Sequence, residues 1–408
     1  MTTVRQWAVG HAVDLAALRI VVSLVVLFSA DVWDASRWAS AATAAPPGWV
    51  AVSALLPPSP GAARLALSVV LVGTTLTALG VLTRWASAVA ALALVWLLGV
   101  PQHVGPVLHT HHLVWFMALV ASGPSGDAWS VDAWRGRATA SPPSLAYGVP
   151  VRAVWLSLGL VYFFPGFFKA LEGTAWLDGL ARLVAWKRFH AGLEPLALPA
   201  VVVKAGGVAT VLFELAAPVL FSLRRLRPVG AVVAVGFHAA VQAVLGIHFS
   251  SLAVFFVAFV PWHRWFSSGP PARPTSARAA VVPLLMAGAL LIAQVVTGFA
   301  GLERAWPVAC FPRFIGPAPV EVAWVELESD AGWAFTLDDL RAEPTQRRWA
   351  LSMRVAAEPT ESRVRGFVTQ GLGRPLRANE RVRWTVQSVR LETGLQRAGP
   401  SGIVSGTP

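Results

Sequence analysis

The sequence predicts an all-α polytopic membrane bundle of about nine transmembrane helices, followed by a small β-rich extramembrane C-terminal domain. Three observations predict this fold class. Of the 408 residues, 55% are hydrophobic and only 13% are charged, with a mean hydropathy of +0.60, whereas soluble chains are about 45–50% apolar and about 25% charged. Apolar runs of membrane-crossing length fill the first 300 residues. The last 108 residues instead hold 26 of the 54 charged residues.

Nine apolar runs reach or approach the roughly 20 residues that cross a bilayer. They lie at about 16–33, 64–83, 85–100, 107–122, 150–171, 197–222, 226–246, 247–262 and 277–299. With a cytoplasmic N-terminus, the inner loops hold eleven arginines and the outer loops hold five basic residues. Because cytoplasmic loops carry the excess of Lys and Arg, the sequence predicts a multi-pass protein of the inner cell membrane with its C-terminal domain outside.

Two segments differ from simple spans. The first run has the length of the apolar core of a secretory signal peptide, but Asp14 and Arg19 at its start disfavour that alternative. Residues 172–196 alternate apolar and basic residues at helical spacing. That pattern is typical of an amphipathic helix that lies in the membrane interface.

The composition divides the chain into a transmembrane domain at 1–300, a β-rich domain at 301–397 and a disordered tail at 398–408. Three stretches of the second domain alternate apolar and polar residues, which is the period of half-buried strands. They are VEVAWVELES, RWALSMRVAAE and ERVRWTVQSVRLE. The single cysteine, Cys310, excludes an intramolecular disulfide and a zinc site of several thiolates.

The net charge of +12 does not indicate nucleic-acid binding. The densest basic cluster, at 224–227, lies in a loop between two apolar runs, whereas nucleic-acid binding calls for basic residues massed on one face. The sequence contains no Walker loop, dinucleotide glycine fingerprint, HExxH or GxSxG motif. We therefore predict no nucleic-acid partner and none of the commonest catalytic motifs.

Ionisable groups inside spans are costly, which makes them candidate functional residues. Lys169 stands out because the chain contains 30 arginines and only 3 lysines. An amine can lose its proton when it is desolvated, whereas a guanidinium effectively cannot. Lys169 is therefore a candidate general base. The alternative is a lysine at a helix end whose amine snorkels to the interface.

The predicted topology collects six of the nine histidines on the outer side, together with Lys169. They are His103, His109, His111, His112, His238 and His248. These imidazoles could simply be interfacial or core residues, and a metal site around the HTHH run is a further alternative. No pair of intramembrane carboxylates joins them, so we predict no metal. Glu214, the only acid deep in a span, could be structural or could tune the site.

Several segments share motifs with a known family. The stretch YFFPGFFKALEGTAW at 162–176 is similar to a YFxxGxxK…W…G signature. Four other segments match in the same order, namely DLAALRI at 14–20, GVLTR at 80–84, HHL…WSVDAW at 111–134 and FHAAVQAVLGIHF at 237–249. FPRF at 311–314 resembles the motif that opens the extramembrane part. Together they resemble the vitamin K-dependent γ-carboxylase family, which includes the bacterial HTTM (horizontally transferred transmembrane) proteins.

In the carboxylases of that family, a lysine amine deprotonates vitamin K hydroquinone. Oxygen then adds and generates a strong base, which removes the γ-proton of a glutamate so that CO2 can add, and the quinone leaves as its epoxide. The resemblance implies that Lys169 is the base. It also implies that His112 stabilises the deprotonated quinone and that His238 is the histidine of the FH motif.

The resemblance further implies a lyase-type enzyme that uses a reduced quinone with O2 and CO2 as co-substrates. It gives quinone-binding roles to His111, Tyr162, Glu214 and His248, and it suggests a peptide or protein glutamate as the substrate on the outer face. Two features depart from the animal enzyme, because only about 108 residues follow the last span and no disulfide can form. The resemblance therefore supports the quinone half of the chemistry more than the carboxylation half.

Two rival hypotheses remain open. A membrane scaffold or redox-partner subunit would keep the same fold without the chemistry, and Lys169 would then tolerate replacement by Arg. A small-molecule transporter would be favoured by broken helices in paired halves, which the sequence does not show.

Overall fold

The computed structural model describes residues 6–41, 48–104, 109–266, 277–302, 305–309, 318–342, 347–371, 373 and 376–406. Cys310 and the FPRF segment at 311–314 lie outside the described residues. The described part consists of a helical bundle up to residue 302 and a sheet with short helices from residue 318 onward.

The bundle has nine main helices in chain order. They are α1 (Ala12–Phe28), α2 (Pro60–Leu79), α3 (Thr83–Gly99), α4 (His111–Ser122), α5 (Leu145–Glu172), α6 (Thr174–His190), α7 (Ala200–Ser222), α8 (Arg227–Leu245) and α9 (Val281–Phe299). Short α-helices lie at Ala30–Ala35, Val50–Leu55, Val131–Trp134 and Ser250–Ala253. Turns of 3-10 helix lie at Ser36–Ala41, Val100–His103, Val254–Phe259, Trp262–Arg264 and Ala277–Ala280.

Six helices of the described residues are long and apolar enough to cross a membrane, namely α2, α3, α5, α7, α8 and α9. Helix α1 and the helical residues 30–40 that follow it are bent by 49° and add a seventh if they form one span. The chain is therefore a multi-pass membrane protein, but the predicted count of nine spanning helices is not confirmed.

The other two predicted runs are apolar without being long helices. Helix α4 has only 12 residues. The run at 247–262 is mostly a four-residue helix and a 3-10 turn. Near its start, Phe249 contacts His238. Just after its end, the backbone N–H of His263 donates to Asp14. Its irregular backbone is enclosed by protein, since Phe255 is fully buried, and non-helical backbone at membrane depth requires such enclosure. Hydropathy alone does not distinguish an enclosed irregular run from a spanning helix.

Helix α5 runs through the middle of the bundle, and α8 lies at its periphery. In the most apolar stretch of α5, 56% of the residues are buried, against 17% in α8. The buried core is built mainly from α1, α3, α4 and α5. Helices that are apolar all round but largely exposed have the character of a lipid-facing surface.

Helices α5 and α7 pack closely because α5 carries two glycines, seven residues apart, on the face toward α7. A Cβ atom at Gly159 would lie 2.9 Å from the Cα atom of Pro218. A Cβ atom at Gly166 would lie 2.6 Å from the Cβ atom of Glu214. Small residues allow the backbones of membrane helices to approach, so these glycines set the distance across which side chains of α5 and α7 meet.

The C-terminal part contains a four-stranded antiparallel sheet in the order β2-β1-β3-β4. The strands are β1 (Glu321–Ser329), β2 (Ala334–Phe335), β3 (Arg381–Arg390) and β4 (Gln396–Ser405). Between β2 and β3 lie α10 (Leu337–Arg341), α11 (Arg347–Ala357), α12 (Glu361–Gly366) and a π-helical turn (Phe367–Gly371). Two of the predicted strands, VEVAWVELES and ERVRWTVQSVRLE, correspond to β1 and β3.

The third predicted strand, RWALSMRVAAE, is wrong, because it forms α11. The buried positions Trp349, Ser352, Val355 and Ala356 recur at helical spacing and cover β1. The hydroxyl of Ser352 accepts a hydrogen bond of 2.8 Å from the backbone N–H of Val325. A short segment can match both the two-residue period of a strand and the 3.6-residue period of a helix. Packing against β1 favours the helix here.

The tail predicted to be disordered at 398–408 is also wrong where the structure describes it. Residues 396–405 form β4, which pairs with β3 from Val389↔Gln396 to Arg381↔Ser405. The residues are polar and rich in glycine, so no apolar alternation announces a strand. Backbone hydrogen bonds to β3 hold this edge, and Val404 is its one fully buried side chain among the described residues.

Helix α6 joins the bundle to the sheet domain. Trp186 and Phe189 pack against the core of the sheet domain. The ring of His190 stacks on Trp349 with 4.3 Å between centroids and accepts a hydrogen bond of 3.1 Å from Trp186 Nε1. Burial, with the charges of Lys187 and Arg341, lowers the pKa of His190 to about 3, so the neutral ring is the form that packs here. The sheet domain is therefore docked on α6.

We predict that Gly159→Ala lowers the thermal stability of the protein. The new methyl group would meet backbone at Pro218, so α5 and α7 must separate, and overpacking typically costs about 1–3 kcal/mol. The measurement is the melting temperature in detergent. Gly288→Ala on α9 is the control, because a Cβ atom there meets nothing within 4 Å. Equal melting temperatures for the two variants would contradict the packing account.

Candidate functional site: a cavity with a buried ion pair

A cavity of about 310 Å³ lies between α5, α6, α7 and α8. Its walls are mainly aliphatic and aromatic. The lining residues are His109, His112, Val161, Tyr162, Pro165, Lys169, Trp176, Leu180, Leu183, Val184, Leu198, Val202, Val203, Gly206, Gly207, Thr210, Glu214, Phe237, His238, Ala240, Val241, Val244, Leu245, Ile247, Phe249 and Leu252. A few polar groups in an apolar pocket of this size are typical of a site for a small organic ligand.

Five of the seven predicted site residues line this one cavity. They are Lys169, His112, His238, Tyr162 and Glu214. Four helices supply them, since α4 carries His112, α7 carries Glu214, α8 carries His238, and α5 carries both Tyr162 and Lys169. The tertiary structure thus brings together residues from 112 to 238 of the chain.

Lys169 and Glu214 form a buried ion pair. The amine Nζ donates to Oε1 at 2.6 Å and to Oε2 at 2.8 Å, and each side chain is 5% exposed. Gly166, one turn before Lys169, brings α5 close enough for the pair to form. Lys169 therefore does not extend its amine into solvent, as the snorkelling alternative required.

The amine of Lys169 also faces an aromatic ring at the start of α6. Its Nζ lies 5.4 Å from the centre of the Trp176 ring, within the range of a cation–π interaction. Helix α5 ends at Gly173, whose φ of 58° lies in the region that favours glycine. That turn sends α6 across the cavity and places Trp176 against the amine.

Tyr162 and His238 form a second polar pair in the cavity wall. The Tyr162 hydroxyl and Nε2 of His238 are joined by a hydrogen bond. Nδ1 of His238 is buried, and no atom of the described residues hydrogen-bonds it. Phe213 and Phe237 pack against the Tyr162 ring at 5.2 and 6.1 Å between centroids. The pair is thus held in aromatic surroundings.

His112 stands at the first turn of α4 and is 2% exposed. Its ring packs edge-on against Phe255 and Phe116, at 5.5 and 6.0 Å between centroids. Among the described residues, no atom hydrogen-bonds its buried Nε2. A buried polar atom without a protein partner at a cavity wall is suited to bind a ligand atom.

The structure separates the other two predicted residues from the cavity. His111 turns the other way along α4 and packs against Trp306 at 4.5 Å between centroids. His248 is exposed in the segment after α8. Neither residue is among those that line the cavity. Of the adjacent histidines 111 and 112, His112 is therefore the one that faces it.

Sequence reasoning did not assign a role to His109, which lines the cavity and lies 3.3 Å from Oδ2 of Asp31. The HTHH run drew attention to His109, but nothing local in the sequence pairs it with an acid 78 positions earlier. Among the described residues, no three His, Cys, Asp or Glu side chains are grouped so as to hold a metal ion.

The fold and the cavity define a class, a multi-pass membrane protein whose helices enclose an apolar pocket with polar groups in its wall. A family model described as HTTM domain matches residues 11–265, more than half of the chain. The chain therefore belongs to the HTTM family, membrane proteins of the carboxylase-like kind. The matched residues include α5, α6, α7 and α8, the four helices around the cavity. No curated protein and no solved structure matches significantly.

We predict strong energetic coupling between Lys169 and Glu214. Lys169→Met or Glu214→Leu alone leaves a buried charge without its partner, which costs about 3–5 kcal/mol, whereas replacing both partners by apolar residues is often neutral. The double variant should therefore be more stable than either single variant. Unfolding of the four proteins in detergent measures the coupling.

The control is the corresponding set of two single variants and one double variant at Lys204 and Asp178. These side chains are 53% and 63% exposed at 2.6 Å separation, and exposed pairs contribute at most about 1 kcal/mol. Additive effects of Lys169→Met and Glu214→Leu would contradict a coupled buried pair.

Proposed function

We propose that the protein binds a reduced quinone in this cavity and that Lys169, paired with Glu214, removes a proton from the quinol hydroxyl. The observation that carries the proposal is the buried Lys169–Glu214 pair in the wall of an apolar cavity. A base that takes a proton from a lipid-soluble substrate must stand where water is excluded and the ring can lie. The family also supports the proposal, because it includes carboxylase-like enzymes.

The residues of the cavity fit a quinol. Aliphatic side chains such as Leu180, Val184 and Val241 offer an apolar surface for a ring and its chain. The hydroxyls of a quinol need polar partners, and the unpartnered Nε2 of His112 and Nδ1 of His238 are available in the wall. Pockets of about 300–1,000 Å³ are usual for small organic ligands.

The ion pair can act as one unit in proton transfer. At rest the pair consists of an ammonium and a carboxylate. Once the ammonium has released its proton, the neutral amine of Lys169 accepts the proton of the substrate hydroxyl and becomes an ammonium again. Glu214 holds the amine in place and stabilises the ammonium that forms, as the third group of a base–orienter arrangement does. His112, with its proton on Nε2, can donate to the oxygen that becomes negative, and a pre-oriented donor in a dry site stabilises such charge strongly.

The proposal extends to epoxidation coupled to carboxylation, with O2 and CO2 as co-substrates and a peptide or protein glutamate as the acceptor on the outer face. The cavity supports the quinol half more directly, since its polar groups suit a diol. The N-terminal end of the bundle, where Trp7 Nε1 donates to Ser222 O at 3.2 Å, would face the cytoplasm. The sheet domain, docked on α6 at the opposite end, would face outward.

One observation favours the scaffold alternative. The amine and carboxylate of the pair satisfy each other with two hydrogen bonds, so the pair could serve only to join α5 to α7. In that case a guanidinium, which also makes two hydrogen bonds to a carboxylate, would replace the amine without loss of function.

We expect vitamin K hydroquinone and oxygen to give epoxide with the purified wild type. Lys169→Ala and Lys169→Arg should lower turnover by about 100-fold or more, because general base catalysis contributes about 10²–10⁴-fold and Arg does not give up its proton. Epoxide formation in detergent is the measurement.

Lys204→Arg is the matched control, since Lys204 pairs with Asp178 on the exposed surface, and it should turn over as the wild type does. Turnover retained in a folded Lys169→Arg would exclude the base assignment and favour the scaffold.

We further propose that the substrate reaches the cavity sideways from the bilayer, between α7 and α8. The two helices touch near their connecting turn, where a Cβ atom at Gly230 would lie 3.0 Å from the Cβ atom of Leu220. Toward the other end of α7 and α8, the cavity lies between the two helices. Val202 on α7 lines the cavity and is 50% exposed. Gly206 also lines the cavity and is exposed, with open space where a Cβ atom would stand.

We predict that Gly206→Leu weakens binding of a long-chain naphthoquinol by about tenfold or more, because a side chain in the gap would overlap the apolar chain. A naphthoquinol without a chain should bind as in the wild type. Gly236→Leu on α8 is the control, because Gly236 is equally exposed and open but does not line the cavity. Equal long-chain affinities for the two variants, measured by ligand titration in nanodiscs, would contradict this route.

A further inference from the structure

The proton that Lys169 accepts must leave the cavity before the next turnover. The Lys169 side chain is 5% exposed and is enclosed by Glu214 and the Trp176 ring. Transfer of a proton needs a partner within hydrogen-bond reach, directly or through one water. The amine therefore depends on a second group of the cavity that also reaches the aqueous phase.

His109 has the position that such a group needs. It lines the same cavity as Lys169, and its side chain is 39% exposed. It lies two residues before α4 begins. Of the titratable residues that line the cavity, Lys169, Glu214, Tyr162, His112 and His238 are all buried, which leaves His109 as the one that the described residues do not bury.

Asp31 completes the arrangement. Its Oδ2 lies 3.3 Å from Nε2 of His109, and its side chain is 18% exposed. The carboxylate is carried by the short helix Ala30–Ala35, which follows α1. A carboxylate beside an imidazole fixes its orientation and stabilises the imidazolium when a proton arrives.

We propose that His109 and Asp31 form the proton exit of the cavity. With its Nε2 proton directed to Asp31, His109 accepts at Nδ1 the proton that the Lys169 ammonium releases, and the resulting imidazolium then gives a proton to water. Each cycle returns Lys169 to the unprotonated amine and His109 to the neutral ring, and the proton that leaves combines in water with the hydroxide that forms from the second oxygen atom of O2 during epoxidation. This inference rests on the proposed function of Lys169 as the base.

The kinetic test compares the first turnover with later ones. In His109→Ala the first turnover, measured by rapid mixing with quinol and oxygen, should match the wild type, because proton exchange at Lys169 reaches equilibrium before mixing whatever the rate of exit. Steady-state turnover should fall by about tenfold or more, and added imidazole should restore it. The side chain of His109 is 39% exposed, so the variant should fold, which its melting temperature checks.

A second measurement needs no turnover. In protein labelled with ¹⁵N-histidine and free of quinol, the His109 signals, assigned by their loss in His109→Ala, should show the proton of the neutral ring on Nε2 in the wild type and a mixture of both tautomers in Asp31→Asn. Asp34→Asn is the matched control on the same short helix, since Asp34 bonds Trp38 Nε1 at 2.7 Å instead, and it should leave the tautomer unchanged.

The outcomes separate the two proposals. If the wild type forms no epoxide, the base assignment of Lys169 fails, and the proton exit fails with it. If the wild type turns over and His109→Ala matches it in steady state, the exit is excluded while the base assignment stands. A steady-state loss that imidazole does not restore, or a His109 tautomer that Asp31→Asn leaves unchanged, also overturns the exit.

Discussion

The distance between α5 and α7 is the constraint on which the rest of the site depends. Gly159 and Gly166 have no side chain at the two points where α5 meets the backbone of α7, so the helices approach closely there. One turn beyond Gly166, Lys169 then reaches Glu214 within hydrogen-bond distance. A charge at this depth is tolerated only with such a partner, so the packing of two small residues decides whether the ionised pair can exist.

The pair also gives the cavity its chemical character. Its other walls are mainly hydrocarbon and aromatic rings, in which a single charge would be strongly disfavoured. In the proposed reaction a neutral substrate releases a proton in this place, and Lys169 and Glu214 would receive it without exposure of either group to water. His112 would then face the oxygen that becomes negative, and His109 would carry the proton onward. Burial of these ionisable groups costs free energy of folding, and the same groups suit the cavity to proton transfer.

Local signals mark two of the residues that line the cavity and one strand that was predicted correctly. Lys169 stood out as one of three lysines among 30 arginines, and the motif around it marked Tyr162 as well. The strand at 321–329 showed its alternation directly. The parts that were missed depend on distant partners. The segment 347–357 became a helix because it covers β1, and the strand at 396–405 is held by backbone pairing that leaves no pattern in the side chains.

The sequence by itself determined that the chain lies in a membrane, because hydropathy is a sum over neighbouring residues and needs no fold. It also determined which polar residues are unusual there, since an ionisable group within an apolar run is conspicuous wherever the run is placed. Only the tertiary structure decided which of them meet. It joined Lys169 to Glu214, faced His112 rather than His111 into the cavity, and placed His109 beside Asp31, because contacts between helices depend on packing distances and rotations that no local pattern encodes.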